Sequence, residues 1–162
     1  MKAPITTSKK MYEVKITYVR PLLELMPEVK SSQQAESIFR DYIDPEVIDH
    51  KEYFWVMLLT NKNDVLSISE IGKGETSGVS VNIKEIFQLA LKANASGLIV
   101  CHNHPSGNLK PSKLDQKMTQ KINTIAAYHS FNLLDHLILT SEGYYSFSDA
   151  GAILTPDNTL PF

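Results

Sequence analysis

The chain lacks most features that mark membrane, secreted or nucleic-acid-binding proteins. It has a single cysteine, Cys101, so no disulfide can form within it, as is usual in a reducing compartment. Its apolar runs are shorter than the roughly 18 residues of a membrane span, and its first residues lack the apolar core of a secretory signal. Sixteen basic and eighteen acidic residues leave a formal net charge of −2, with no positive excess to bind a phosphate backbone. We therefore expect a cytoplasmic protein with no membrane partner.

Length and apolar content predict one main folded domain. A chain of 162 residues, of which 43% are hydrophobic, can bury a core of its own. Residues 1–30 are predicted to be an N-terminal extension with one strand, because polar and apolar residues alternate from Tyr12 to Tyr18. The main domain is expected at residues 31–150, followed by a C-terminal tail at residues 151–162.

Helix and strand signals alternate along the main domain. Ser31, Asn82 and Ser112 each stand where an N-cap would begin a helix. The first helix is expected to end before Pro45, and the second at about Asn94. We predict an α/β fold with a mixed β-sheet flanked by about three helices. Its strands are predicted at 52–59, 65–71, 97–101, 134–140 and 144–147.

The chemistry of the sequence is concentrated in one turn-rich segment. His102 and His104 follow an apolar run, and on a strand end or extended loop such a pair can turn to the same side and bind one ion. Asp115 lies in the first turn of the helix that Ser112 would cap, and the prolines and glycine in between could fold it back toward the histidines. Two imidazoles and one carboxylate are a typical ligand set for a catalytic zinc that keeps one position open for water.

Most single residues in and around this segment also have a structural explanation. Ser112 and Asp115 suit a helix N-terminus, as a cap and as a favourable charge. Cys101 is interpreted as a buried strand residue and not as a thiolate ligand. Asp135 and His136, which would open an apolar strand, are given a structural role. The metal hypothesis therefore depends on the histidine pair together with its downstream aspartate.

A family resemblance rests on these same residues. The pattern His-x-His, seven residues, Ser, two residues, Asp is met by His102, His104, Ser112 and Asp115. It resembles the motif of the JAMM/MPN+ (JAB) metalloproteases. That resemblance implies Zn²⁺ bound by the two histidines and the aspartate, with Ser112 supporting the tetrahedral intermediate.

Longer strings in the chain resemble one branch of that superfamily. HNHPSG, PSKLD and DHLIL, with a later serine at Ser146, are similar to the RadC branch over approximately residues 32–149. The resemblance implies a JAB/MPN-like catalytic domain at residues 31–150, with an α/β fold layered like that of cytidine deaminases. Full-length RadC-like proteins also carry an N-terminal helix-hairpin-helix region. The residues before the first helix are too few to form one, so a stand-alone catalytic module is expected.

The resemblance also implies an upstream glutamate as general base, at the start of an apolar strand that follows the first helix. Glu52, in EYFWVMLL, fits that placement best. A carboxylate at the edge of a buried strand can be partly desolvated, as suits a base that works near neutral pH. Glu70 and Glu85 remain alternatives.

Three functions are compatible with these residues. The resemblance predicts a zinc-dependent hydrolase of amide or isopeptide bonds that acts on a peptide or isopeptide substrate. The alternative is a DNA repair accessory protein or a metal-dependent nuclease. Only the name of the family suggests nucleic acid as a partner. A non-enzymatic assembly module ranks last, because the ligand set is complete. Substrate choice is expected to depend on the groove beside the metal and on the glycine-rich residues 72–78.

Overall fold

The structure, a computed structural model, describes residues 16–19, 26–74 and 81–156. The strand predicted from Tyr12 to Tyr18 lies largely outside the described residues, and residues 16–19 form neither helix nor strand. Most of the glycine-rich segment also lies outside them. Within the described part of the chain, no helix is both long enough and apolar enough to cross a membrane.

The described residues form an α/β fold, which confirms the predicted class. The helices are α1 (Ser32–Tyr42), α2 (Ile83–Lys92) and α3 (Lys113–Tyr128), and a short 3-10 helix covers Pro45–Val47. The strands are β1 (Tyr53–Leu59), β2 (Val65–Lys73), β3 (Gly97–Asn103), β4 (Asn132–Leu139) and β5 (Tyr144–Ser146).

Each helix begins at the cap that the sequence indicates. A side-chain oxygen of the cap accepts a hydrogen bond from the backbone N–H three residues later, which satisfies one of the unpaired donors of the first turn. Helix α1 ends ahead of Pro45 as predicted, with Ile43 already extended. Helix α2 ends two residues before the expected Asn94, where a backbone φ of 49° is incompatible with a right-handed helix. The caps are Ser31, Asn82 and Ser112.

The five strands form one mixed sheet in the order β2-β1-β3-β4-β5. Strand β1 is antiparallel to β2 and β3, β3 is parallel to β4, and β5 returns antiparallel to β4. Buried residues of α2 and α3 pack on one face of the sheet, and those of α1 pack on the other. Central strands that are covered on both faces are mostly apolar, which explains why β1 and residues 97–101 of β3 show no alternation of polar and apolar residues.

Strands β2, β3 and β4 each extend two residues beyond one predicted end, and the corrections to β3 and β4 concern polar residues. Strand β3 ends at Asn103 and not at Cys101, because His102 pairs with β1 on one side and with β4 on the other. Strand β4 begins at Asn132, so Asp135 and His136 lie in its middle and do not open it. Polar side chains can occupy central strands when they find hydrogen-bond partners inside the protein, as these do.

Cys101 lies in β3 and is completely buried, as the sequence predicts. Burial raises the pKa of its thiol well above the ordinary value. We expect the folded protein to react with a thiol reagent such as DTNB at least about 10³-fold more slowly than the chain in guanidinium chloride, because exposing the thiol requires unfolding. Equal rates in the two conditions would show that this part of the core is open.

Candidate metal centre

Four polar side chains from different elements converge at one end of the sheet. Glu52 immediately precedes β1, His102 lies in β3, His104 follows β3, and Asp115 lies in the first turn of α3. Each offers one ligand atom, and these atoms all lie within 4.8 Å of one another. The fold therefore brings together the four side chains that the sequence suggests as metal ligands and general base.

The two histidines point to the same side because the chain stays extended through both of them. The backbone N–H of His104 donates to the carbonyl of Leu139, which continues the pairing with β4 beyond the last residue of β3. In extended chain, residues two apart lie on the same face. The two Nε2 atoms consequently lie 2.9 Å apart.

Asp115 is oriented by the start of helix α3. Ser112 and Asp115 form a capping box, in which Ser112 Oγ accepts from the Asp115 N–H at 3.1 Å and the Ser112 N–H donates to Asp115 Oδ2 at 2.6 Å. The carboxylate oxygens lie 3.3 Å from His102 Nε2 and 3.6 Å from His104 Nε2. The cap that the sequence predicts is confirmed, and it also aims the carboxylate at the histidines.

The ring nitrogens of the histidines are arranged as they would be around a metal. His104 Nδ1 lies 2.6 Å from the carbonyl oxygen of Asn108, which can only accept, so in the neutral ring Nε2 carries the lone pair. His102 Nδ1 likewise faces away from the cluster, toward another side chain. Zinc bonds of about 2.0–2.2 Å at tetrahedral angles place ligand atoms about 3.3 Å apart. The observed separations of 2.9, 3.3 and 3.6 Å fit that requirement.

The charges of the cluster also suit a cation. Burial by itself would raise the pKa of Asp115, but the interactions with His102 and His104, whose Nε2 atoms donate to the carboxylate when the rings are protonated, outweigh it and hold that pKa far below its usual range. The hydrogen bond to Asp115 raises the pKa of His104, and burial opposes this. Asp115 is therefore ionised at neutral pH and is available as an anionic ligand.

Glu52 is held in place by Asn103, a residue that the sequence reasoning did not single out. Asn103 is completely buried, and its Nδ2 donates to the carbonyls of Ile48 and Lys51 at 2.7 and 2.6 Å. Its Oδ1 accepts from the Tyr53 N–H at 2.7 Å. These three bonds fix the backbone on both sides of Glu52.

We expect Asn103→Leu to destabilise the protein markedly. Leucine has the same branched shape but leaves three backbone groups without partners, one buried and two partly buried, and a buried group left unpaired costs about 1–3 kcal/mol. The free energy of unfolding in urea measures the effect, with the exposed Asn132→Leu as the matched control. Similar stability of the two variants would contradict the importance of the Asn103 bonds.

Two further buried residues lie directly behind His102. His136 on β4 and Thr119 on α3 form hydrogen bonds that lead from the cluster into the core. A signal was available in the sequence, because a histidine in the middle of an apolar strand needs a buried partner. The preceding residue, Asp135, accepts bonds from Ser146 Oγ at 2.6 Å and from the Ser148 N–H at 2.9 Å, which tie β4 to the end of β5.

The two alternative glutamates lie elsewhere. Glu70 is exposed on β2, opposite Trp55 of β1. Glu85 lies in the first turn of α2, where its carboxylate accepts from Asn82 Nδ2 at 3.3 Å. Neither belongs to the cluster of ligand atoms among the described residues.

Comparison with known proteins agrees with this architecture. A family model described as the RadC-like JAB domain matches residues 29–152. A UPF0758 protein of Flavobacterium johnsoniae is 42% identical over 126 residues, which cover 78% of this chain and 54% of that protein. A UPF0758 protein of Porphyromonas gingivalis is 35% identical over 130 residues, which cover 79% of this chain and 57% of that protein. The chain thus spans about half the length of the curated relatives it matches. It belongs to the RadC-like JAB domain family.

Proposed function

We propose that this domain is a zinc-dependent hydrolase of amide or isopeptide bonds, a metallopeptidase of the JAMM type. The observation that carries the proposal is the convergence of Glu52 with His102, His104 and Asp115. The two histidines and the aspartate would hold the metal, which leaves one carboxylate beside it for acid–base work. Membership of the JAB domain family supports this assignment.

In the proposed reaction, water adds to the carbonyl carbon of the scissile bond, and the bond to nitrogen breaks. Zinc, when bound, supplies a Lewis acid that polarises the carbonyl and lowers the pKa of water to about 7. Glu52 accepts the proton that the attacking water loses and passes it to the departing amine. Glu52 is half-buried immediately before β1, with its carboxylate beside the proposed ligand atoms.

Ser112 is proposed to stabilise the negative charge that develops on the carbonyl oxygen. In the capping box its Oγ acts as an acceptor, so the proton of the hydroxyl is not used by the cap. That O–H can donate to an oxyanion on the exposed side of the helix start. Because the cap fixes the oxygen, the donor needs little reorganisation during the reaction.

The test is hydrolysis of two peptide libraries by the zinc-loaded protein. One library contains ordinary peptide bonds and the other contains peptides joined through a lysine ε-amine, with new primary amines detected by mass spectrometry. We expect amines to be released from at least one library, release to stop on chelation, and release to return when zinc is restored. Cleavage that persists without metal would contradict the proposal. Zinc-dependent nicking of plasmid DNA without amine release would favour the nuclease alternative.

A further inference from the structure

We propose that His136 is a positioning residue that fixes the tautomer of His102 and so presents its Nε2 lone pair to the metal. The inference rests on the proposed metal site, and it concerns how this chain prepares one ligand of that site. It is carried by a continuous line of buried hydrogen bonds that joins the two elements on which His102 and Asp115 lie.

The line has three hydrogen bonds. Thr119 Oγ1 donates to the backbone carbonyl of Asp115 at 2.7 Å. The same oxygen lies 2.6 Å from His136 Nδ1. His136 Nε2 in turn lies 2.7 Å from His102 Nδ1. Thr119, His136 and His102 are all buried, so the protein groups must satisfy one another without help from solvent.

The donor and acceptor of each hydrogen bond in this line follow from the bond between Thr119 and the Asp115 carbonyl. The carbonyl of Asp115 can only accept, so the one hydroxyl proton of Thr119 is used there. The Thr119 oxygen must then accept, which requires a proton on His136 Nδ1. In a neutral His136 ring the other nitrogen, Nε2, carries the lone pair and accepts from His102.

The consequence for His102 is a fixed tautomer. Its Nδ1 must carry a proton in order to donate to His136, so its Nε2 is the unprotonated nitrogen of the neutral ring. That Nε2 is the atom that faces His104 Nε2 and the carboxylate of Asp115. The line of hydrogen bonds therefore prepares the atom that a metal requires.

The packing around His136 keeps its ring neutral and fixed in orientation. Phe147 stacks on the ring with centroids 4.7 Å apart, and Phe54 contacts it edge-on at 5.7 Å. His136 is completely buried and neither of its hydrogen-bond partners is a carboxylate, so a cationic ring would lose its hydration with no opposite charge bonded to it. The two rings also prevent His136 from turning away from His102.

The Nδ1 atom of His104, which faces away from the cluster, has a backbone partner and not a side-chain partner. His104 Nδ1 donates to a backbone carbonyl in the exposed loop after β3, at Asn108. His102 depends instead on a side chain that substitution can remove. This difference makes the role of His136 open to a direct test.

The test compares His136→Phe with His136→Gln. Phenylalanine keeps the aromatic packing but provides no acceptor, whereas the glutamine carbonyl can take the place of Nε2. The first readout is the ¹⁵N NMR spectrum of the metal-free proteins at pH 8, which reports which nitrogen of His102 is protonated. We expect protonation at Nδ1 in the wild type and in His136→Gln, and a shift toward Nε2 in His136→Phe. A wild-type His102 protonated at Nε2 would overturn the inference.

The second readout is the zinc dissociation constant, measured by competition with a chromogenic chelator. We expect His136→Phe to weaken binding by about 10–100-fold, as is typical for loss of the outer partner of a ligand histidine, and His136→Gln to recover most of it. Leu133→Ala, a buried truncation on the same strand and away from the cluster, controls for general destabilisation. A dissociation constant in His136→Phe no weaker than in that control would contradict the proposal.

Thr119 gives an independent check on the same line. Thr119→Ser keeps the hydroxyl, and Thr119→Val removes it at nearly constant shape. We expect the serine variant to bind zinc like the wild type and the valine variant to bind more weakly. If the wild type bound no zinc, the proposed function would fail, but the tautomer of His102 in the metal-free protein would still decide the role of His136.

Discussion

Replacing Glu52 by glutamine is expected to lower the rate of amide hydrolysis by about 10²–10⁴-fold without changing the zinc content. Glutamine has almost the same shape but cannot accept the proton of the attacking water. The three proposed ligands remain, so the metal should still bind. The rate is measured on whichever peptide or isopeptide the library experiment identifies, and the zinc content by elemental analysis of the same samples.

Glu70→Gln is the matched control for this substitution. Glu70 was the alternative base in the neighbouring strand β2, and it is exposed and away from the cluster. We expect its substitution to leave the rate within about twofold of the wild type, as is usual for an exposed residue without a special role. A large loss in Glu70→Gln together with full activity in Glu52→Gln would reverse the assignment of the base.

The second large effect is expected from Asp115→Asn. The variant loses a metal ligand and its negative charge. Loss of a residue that is only hydrogen-bonded to a ligand typically weakens metal binding by up to about 100-fold, so here zinc affinity should fall by more than that. The amide oxygen of asparagine can still accept from the Ser112 N–H, so the start of α3 should be preserved. A competition titration with a chromogenic chelator measures the affinity.

Glu85→Gln is the matched control for the loss of a negative charge at a helix start. Glu85 occupies the same third position in α2 that Asp115 occupies in α3. Loss of this charge should lower the free energy of unfolding by about 0.3–1 kcal/mol, because a negative charge near a helix N-terminus interacts favourably with the helix dipole. Zinc binding should not change. If both variants bound zinc equally well, Asp115 would not be a ligand.

Local signals in the sequence were sufficient for much of the fold. The caps Ser31, Asn82 and Ser112 and the break at Pro45 act within one turn of chain, so they could be read directly. The histidine pair could be assigned to one side because extended geometry alone determines it. The family pattern then added Glu52, which no local signal connects to residues so far along the chain.

The residues that the sequence did not reveal depend on long-range pairing. Asn103 acts on the segment before β1 only because β1 and β3 are neighbours in the sheet. His136 reaches His102 because β3 and β4 are parallel neighbours, with His136 opposite Val100 and His102 opposite Ile138. Both residues were visible as polar positions beside or within apolar runs, but their partners are set by a strand order that composition and periodicity do not specify.

The most direct test of the account is the zinc content of the purified protein beside that of the double variant His102→Ala, His104→Ala. Both are dialysed against the same zinc-containing buffer, then against metal-free buffer, and are analysed for zinc and protein. We expect about one zinc per chain in the wild type and almost none in the double variant, whose site keeps only carboxylate ligands. Equal zinc content in the two proteins would contradict the assignment of the metal centre.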